Sequence, residues 1–427
     1  MLSAFLLMAF LAPVTWSLAI RLVDQHPGTR PAMFRNLILV HFLLALVYYL
    51  YALSNSSDSQ YYYFKVLSHY RGYTWWDFYG VSTTFVEFLA YPFVHIFQFS
   101  YEACMILFAW MGLLGFFFFY VFLHEQIRHR HTFFGFDLVT LILLLPNLHF
   151  WSSSMGKGSV VFLGFGLLFY SFSRLEKRWL SAILGAMLIY HIRPHILFIV
   201  LIAAGLGFIF SSRGISTPVR IMAVMASLVA FFIIREEVFA LTGIDEEQLV
   251  VDSTTLSHRA KELSKATSGI DINGYSWPLK IFTFWFRPLF IDAPGLMGLM
   301  VSFENVFYLV LFFNLFKPRF WLWFAGSDYM VKAAALTFLG VSFALAQLSG
   351  NLGIAIRQKS QVMILMLFVI VKYLDEAMAA DAPRTLNGPA TGEPSEGMVA
   401  DAEPSAEPAS RMNPSPGYVR YLNSKNP

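Results

Sequence analysis

NLILVHFLLALVYYLYALSNSSDSQYYY, residues 36–63, sets out the plan of this chain in one passage. Residues 36–53 contain no Asp, Glu, Lys or Arg, and at about 1.5 Å per helical residue they reach across most of a hydrocarbon core. Arg21, Arg30 and Arg35 lie before this run, and after it the chain turns polar through Ser54 to Gln60 and presents Asp58 ahead of Tyr61, Tyr62 and Tyr63. An apolar helix with cations at one end and a carboxylate at the other is set across a membrane.

The rest of the chain repeats the pattern. Of 427 residues, 57% are hydrophobic and 13% charged, and the mean hydropathy is +0.58. A soluble fold of this length cannot hide that much apolar surface. Its 45 Phe, 20 Tyr and 10 Trp suit lipid-facing and interfacial positions. A net charge of +3 is too small to argue for nucleic acid. Cys104 is the single cysteine and lies in an apolar run, so no disulfide framework exists.

Hydrophobic runs predict an all-α, polytopic transmembrane helix bundle of about eleven spans. They fall at about 2–20, 36–53, 103–123, 136–151, 159–173, 179–191, 196–212, 219–235, 296–316, 330–348 and 362–376. The first run lacks a positively charged leader and reads as a retained helix, not a signal peptide. Two longer loops interrupt the spans, at 54–102 and 236–295. The first holds Trp75, Trp76 and Asp77, then an apolar part from Val81 to Phe99 broken by Glu87, Pro92 and His95. That pattern predicts a re-entrant or interfacial helix packed on protein. The bundle is bounded at 1–376. The tail, 377–427, is rich in Pro, Ala, Gly, Ser and Glu, and disorder is expected there.

Turns after the odd-numbered spans are basic: Arg21, Arg30 and Arg35; Arg128 and Arg130; Arg174, Lys177 and Arg178; Arg213 and Arg220; Lys317 and Arg319. The positive-inside rule assigns them to the cytoplasm. The N-terminus is then expected outside, the tail inside, and Asp58, Lys157, Arg193, His195, Arg287 and Arg357 together at the outer face.

These six residues are the candidates for chemistry. Asp58 reads as a general base or a solvated helix terminus. Asp77 is a weaker second acid. Lys157, among the glycines of Met155-Gly156-Lys157-Gly158, meets phosphate as a point charge or snorkels to the interface. Arg193, in Arg193-Pro194-His195, is costly within a short apolar hairpin unless it has a ligand or partner. His195 can donate to phosphate or shuttle a proton. Arg287 shares a proline turn with Asp292, and the intramembrane acid Glu304 is expected to pair with Arg287 or Arg193. Arg357 follows Gly350-Asn351-Leu352-Gly353, where fixed arginine and free N–H groups at a helix start suit an anion. No metal-ligand pattern supports a divalent ion, and no cofactor is expected.

Asp58 with Tyr61 to Tyr63, His149 to Lys157, Ile192-Arg193-Pro194-His195, Arg287-Pro288 and Gly350 to Gln358 resemble the EpsG/Wzy-type exopolysaccharide polymerases. More distantly they resemble GT-C-class, polyprenyl-phosphate-dependent glycosyltransferases. The EpsG arginine and glycine before the aspartate are replaced by Asn55-Ser56-Ser57, and the paired acids of the GT-C first loop are missing. The resemblance implies a multi-pass enzyme of a bacterial-type inner or plasma membrane. It would transfer glycan at the outer face from a polyprenyl-(di)phosphate donor, among membrane lipid and other polysaccharide-assembly proteins. In that expectation Asp58 is catalytic and Lys157, Arg193, His195, Arg287 and Arg357 bind substrate. A transporter or flippase, or a non-catalytic assembly subunit for lipid-linked glycans, are the other classes that place cations in a membrane bundle.

Overall fold

A computed structural model describes residues 2–211, 274–293, 295–347 and 350–381, with shorter stretches between 216 and 232 and Ile272. Most of the 236–280 loop, much of the span expected at 219–235, and the tail from 382 lie outside the described residues. The described part is almost wholly helical. Six helices are long and apolar enough to cross a membrane: Leu2–Gln25, Pro31–Ser54, Tyr101–Gln126, Gly295–Phe316, Tyr329–Ala346 and Leu352–Ala377. Shorter apolar helices accompany them, so the described residues form an all-α bundle of apolar helices.

In chain order the helices are α1 (Leu2–Gln25), α2 (Pro31–Ser54), α3 (Asp58–Leu67), α4 (Thr83–His95) and α5 (Tyr101–Gln126). A two-stranded hairpin, Thr132–Phe133 with Phe136–Asp137, precedes α6 (Leu138–Leu143) and α7 (Pro146–Ser152). Then come α8 (Lys157–Phe172), α9 (Trp179–Ile192), α10 (Pro194–Phe210) and α11 (Trp277–Phe286). The set closes with α12 (Gly295–Phe312), α13 (Pro318–Ala325), α14 (Tyr329–Ala346) and α15 (Leu352–Asp381). The expected span at 136–151 is two helices, because Pro146 cannot supply the N–H that would continue α6. The last helix starts at Leu352, ten residues before the apolar run at 362, and runs on past the expected boundary at 376.

Hydrogen bonds fix which ends lie together. At one end, Ser3 meets Ser100 and the Tyr101 hydroxyl meets Ser59, joining the starts of α1, α3 and α5. At the other, the end of α1 meets the end of α5 through His26 and Glu125, and Lys372 of α15 donates to the Gln126 carbonyl at 2.5 Å. The basic turns collect at this second end. Arg178 sends two N–H groups to Glu125 at 2.6 and 2.8 Å. Asp375 receives the main-chain N–H groups of Arg128 and His129.

The core is aromatic and tightly drawn. Helices α5 and α15 are its most buried long members, and Phe108, Phe116, Phe117, Phe119 and Phe122 of α5 are almost inaccessible. With apolar lipid outside, helices associate by close packing and interhelical hydrogen bonds. A Cβ on Gly112 would lie 1.9 Å from the Ser152 carbonyl oxygen, and one on Gly166 would lie 2.6 Å from that of Gly115. Near the same seam His41 and His149 meet Nδ1 to Nδ1 at 2.9 Å, each ring closing its Nε2 on a main-chain carbonyl. Gly112→Ala is expected to destabilise the bundle by about 1–3 kcal/mol, because the obstacle is main chain and cannot swing away. The midpoint of thermal aggregation in detergent checks this: a fall of several degrees is expected, and an unchanged midpoint contradicts it.

Candidate functional site

The 54–102 loop builds one wall of the site. Asp58 opens α3 after an extended Ser57, so its carboxylate sits at the helix N-terminus, where negative charge is favoured. α3 packs on α4, which lies within the apolar stretch from Val81 to Phe99, and the two are pinned by Glu87. That carboxylate is fully buried and takes Arg71 Nε at 2.6 Å, with Lys65 at 4.0 Å. Trp75 and Trp76 stack beside Phe88 in front of α4. Asp77 is exposed and caps the short helical turn Trp75–Phe78. The main-chain N–H of Thr74 and its hydroxyl hold the Asp77 carboxyl below the usual carboxylate range. It is a cap, and the chemistry expected of a second acid does not fall to it.

Across from α3, α15 brings Arg357. Its Nη1 lies 2.5 Å from Asp58 Oδ2, a contact between residues 299 apart in sequence. The guanidinium also faces the Trp151 ring, 6.0 Å from its centre. The pair remains in reach of solvent, with side chains 50% exposed for Asp58 and 30% for Arg357. Between them and the bundle run Tyr48, Tyr62, Ser154 and the turn Met155-Gly156-Lys157-Gly158, enclosing a narrow cleft. The Tyr48 hydroxyl reaches Ser154 and Ser59, and both tyrosines lie in the field of Asp58 and Arg357.

Lys157 starts α8, where a short polar turn leaves it free to project. Its Nζ donates to Ser82 Oγ at 2.8 Å, and it feels Arg193, Arg357, Asp58 and Glu87 electrostatically. Ser82 has a left-handed backbone (φ 67°), a conformation costly for a serine, and its N–H donates to the His191 carbonyl. That tie docks the loop on α9.

Arg193 is more telling. Pro194 ends α9 and starts α10, leaving Arg193 non-helical between them (φ −148°, ψ 77°). Its side chain is 7% exposed, yet no carboxylate or carbonyl among the described residues accepts from its guanidinium. Its electrostatic neighbours are Arg357 and Tyr62. His195, two residues on, stands beside Arg193 and Lys157. Five of the six expected residues therefore share one site: Asp58, Lys157, Arg193, His195 and Arg357.

The sixth does not. Arg287 Nε lies 2.5 Å from Asp292 Oδ2, and its Nη1 faces the Tyr275 hydroxyl. Burial alone would make that guanidinium easier to deprotonate, but the hydrogen bonds it makes with Asp292, as donor to the carboxylate, and with Tyr275 outweigh this and the charge is held more firmly. Nor does Glu304 pair with Arg287 or Arg193. Its Oε1 accepts the Asn147 N–H at 2.7 Å, capping α7 at the break in the membrane segment, and its Oε2 accepts from Tyr308. The cation near Glu304 is one the sequence reading passes over: Lys359, fully buried, which donates to the Trp285 and Arg287 carbonyls and to Asn305 Oδ1. Lys359 follows Arg357 by two residues in a stretch without a clear apolar period, and its role shows only once α12 and α11 are seen beside α15.

Among the described residues the balance of the site is three cations and a histidine against one carboxylate, with Glu87 committed to Arg71. No group of three His, Cys, Asp or Glu side chains among the described residues converges as metal ligands do. What the arrangement can hold is an anion of extended charge, next to a carboxylate able to accept a proton.

Comparison with protein-family models, with characterised proteins and with solved structures returns no match. The functional reading rests on the site.

Proposed function

We propose that the chain is a membrane glycan polymerase or glycosyltransferase taking a polyprenyl-diphosphate-linked donor at the Asp58–Arg357 site, on the outer face of a bacterial-type plasma membrane. The observation that carries the reading is the buried guanidinium of Arg193, which has no acidic partner among the described residues and stands beside Lys157 and Arg357. A buried cation without a partner is expensive, and a phosphate-bearing ligand removes the cost. The exposed Asp58–Arg357 pair is the other support. Such pairs are worth about 0–1 kcal/mol, so an arriving diphosphate can draw Arg357 away at little cost and leave Asp58 free.

The chemistry then follows. An acceptor hydroxyl oxygen attacks the anomeric carbon of the donor, and its proton passes to Asp58. The bond from that carbon to the diphosphate oxygen breaks, and the electron pair leaves on the diphosphate. Arg357, Lys157 and Arg193 are donors preset around the position where this charge develops. Trp151, Tyr62 and the exposed Trp76 offer flat faces for sugar rings.

The test uses purified protein in lipid with a polyprenyl-diphosphate oligosaccharide, following product length on a gel. A ladder or a single addition is expected from wild type, and Asp58→Asn is expected to slow it on the order of 10²-fold. Substrate binding without any product would replace the enzyme by a transporter or an assembly subunit.

A further inference from the structure

The basic end of the bundle holds a second cavity, at the opposite ends of α2 and α5 from Asp58 and Arg357. It is walled by the turn between α1 and α2, the end of α5 and the hairpin before α6, and has a volume of about 160 Å³, far more than one water needs. Arg30, Arg128 and Arg130 stand around it. Asp137 is the one carboxylate among its described lining residues.

That carboxylate is already used. Asp137 Oδ2 accepts the Thr140 N–H at 2.9 Å and its hydroxyl at 2.6 Å, capping α6. Two nearby acids are turned elsewhere: Glu125 to Arg178 and His26, Asp375 to the N–H groups of Arg128 and His129 and to the His129 ring. Among the described residues no carboxylate pairs with the side chains of Arg30, Arg128 or Arg130. Tyr120 adds an independent sign. Its side chain is 6% exposed and lines the cavity, and its oxygen accepts the Arg30 N–H at 2.8 Å. Its own proton has no acceptor among the described residues. Three guanidinium groups and an idle buried O–H are a set of donors awaiting an oxygen-rich anion.

We propose that this cavity binds a phosphate group, as a site separate from the Asp58–Arg357 cluster. It lies where membrane-crossing helices end, the level of lipid headgroups, and basic pockets there hold anionic lipid phosphates. A soluble phosphate ester presents the same chemistry, and the two sources separate by experiment. The proposal stands apart from the glycan reading and survives its failure.

Full-length protein is titrated with phosphatidylglycerol and followed by native mass spectrometry, and separately titrated with inorganic pyrophosphate in phosphatidylcholine nanodiscs. The proteins compared are wild type, Arg30→Gln/Arg128→Gln/Arg130→Gln, Tyr120→Phe and Arg357→Ala. Removing three charges near a lipid surface is expected to weaken binding on the order of a hundredfold. Tyr120→Phe is expected to weaken it severalfold, and Arg357→Ala to remove only anion held at the Asp58 site, leaving in place the component that the triple variant abolishes. Binding of phosphatidylglycerol alone assigns a lipid headgroup; binding of pyrophosphate with the same variant pattern assigns a soluble phosphate. Equal binding by wild type and the triple variant overturns the proposal, as does loss confined to Arg357→Ala. Should the triple variant not fold, the exposed single change Arg130→Gln is read instead, with about tenfold weakening expected.

Discussion

Arg357→Ala is expected to lower turnover of a lipid-linked donor on the order of 10³-fold while the protein still elutes as a folded particle. On the proposed reading the variant loses a donor aimed at the leaving diphosphate, where one such group is worth about 10²–10³ in rate. Asp58, left without its cation, is already free as a base and does not add to the loss. Folding should survive, because the pair it breaks is exposed and contributes about 0–1 kcal/mol. Arg357→Lys tests the geometry: an ammonium keeps the charge but not the planar fork, and activity is expected to return only in part. Single-turnover rates on saturating donor are the measurement. Rates within threefold of wild type for Arg357→Ala would remove the residue from the chemistry.

Lys359→Met is expected to do the reverse, with loss of stability before any loss of chemistry. The Lys359 ammonium is the donor to three acceptors inside the bundle, Asn305 Oδ1 and the carbonyls of Trp285 and Arg287, and it is the cation nearest Glu304. Methionine of similar length leaves those acceptors dry and the buried acid without its cation. Each buried acceptor left unsatisfied costs about 1–3 kcal/mol. Thermal denaturation in detergent should show a large drop in midpoint. The double variant Lys359→Met/Glu304→Gln should recover part of it, since the charge left behind is then gone. Single and double variants with equal midpoints would mean that the two residues do not communicate.

Which of these features can be read in the chain depends on how local they are. Helix α2 is legible because Asn36 to Leu53 is apolar throughout and bounded by Arg35 and Ser54. The grouping of Asp58, Lys157, Arg193, His195 and Arg357 is legible because polar breaks between spans must lie at one end or the other. Arg287 also lies in such a break, and so was placed with them. Its neighbour Asp292, five residues away, takes its charge instead, and only the path of the turn reveals it. The start of α15 is legible only in part. The turn from Gly350 to Gly353 announces a helix start near Arg357, but the polar stretch to Gln361 shows no apolar face, and yet Lys359, Ser360 and Gln361 are buried, with Lys359 hydrogen-bonded to Trp285, Arg287 and Asn305. Glu304 shows the same limit. An acid in a membrane helix calls for a partner, and the main-chain N–H of Asn147, at a break in another helix, is not something a sequence pattern announces.

The contact between Asp58 and Arg357 also has a consequence for biosynthesis. Asp58 is made early and Arg357 among the last parts of the bundle, and chains emerge and fold from the N-terminus onward. Until α15 is inserted, the nascent protein carries the carboxylate without its closing arginine, beside a cleft that lacks one wall. A chain that stops before residue 357 therefore lacks both the contact and one wall of the cleft, and the two arrive in a single step with α15.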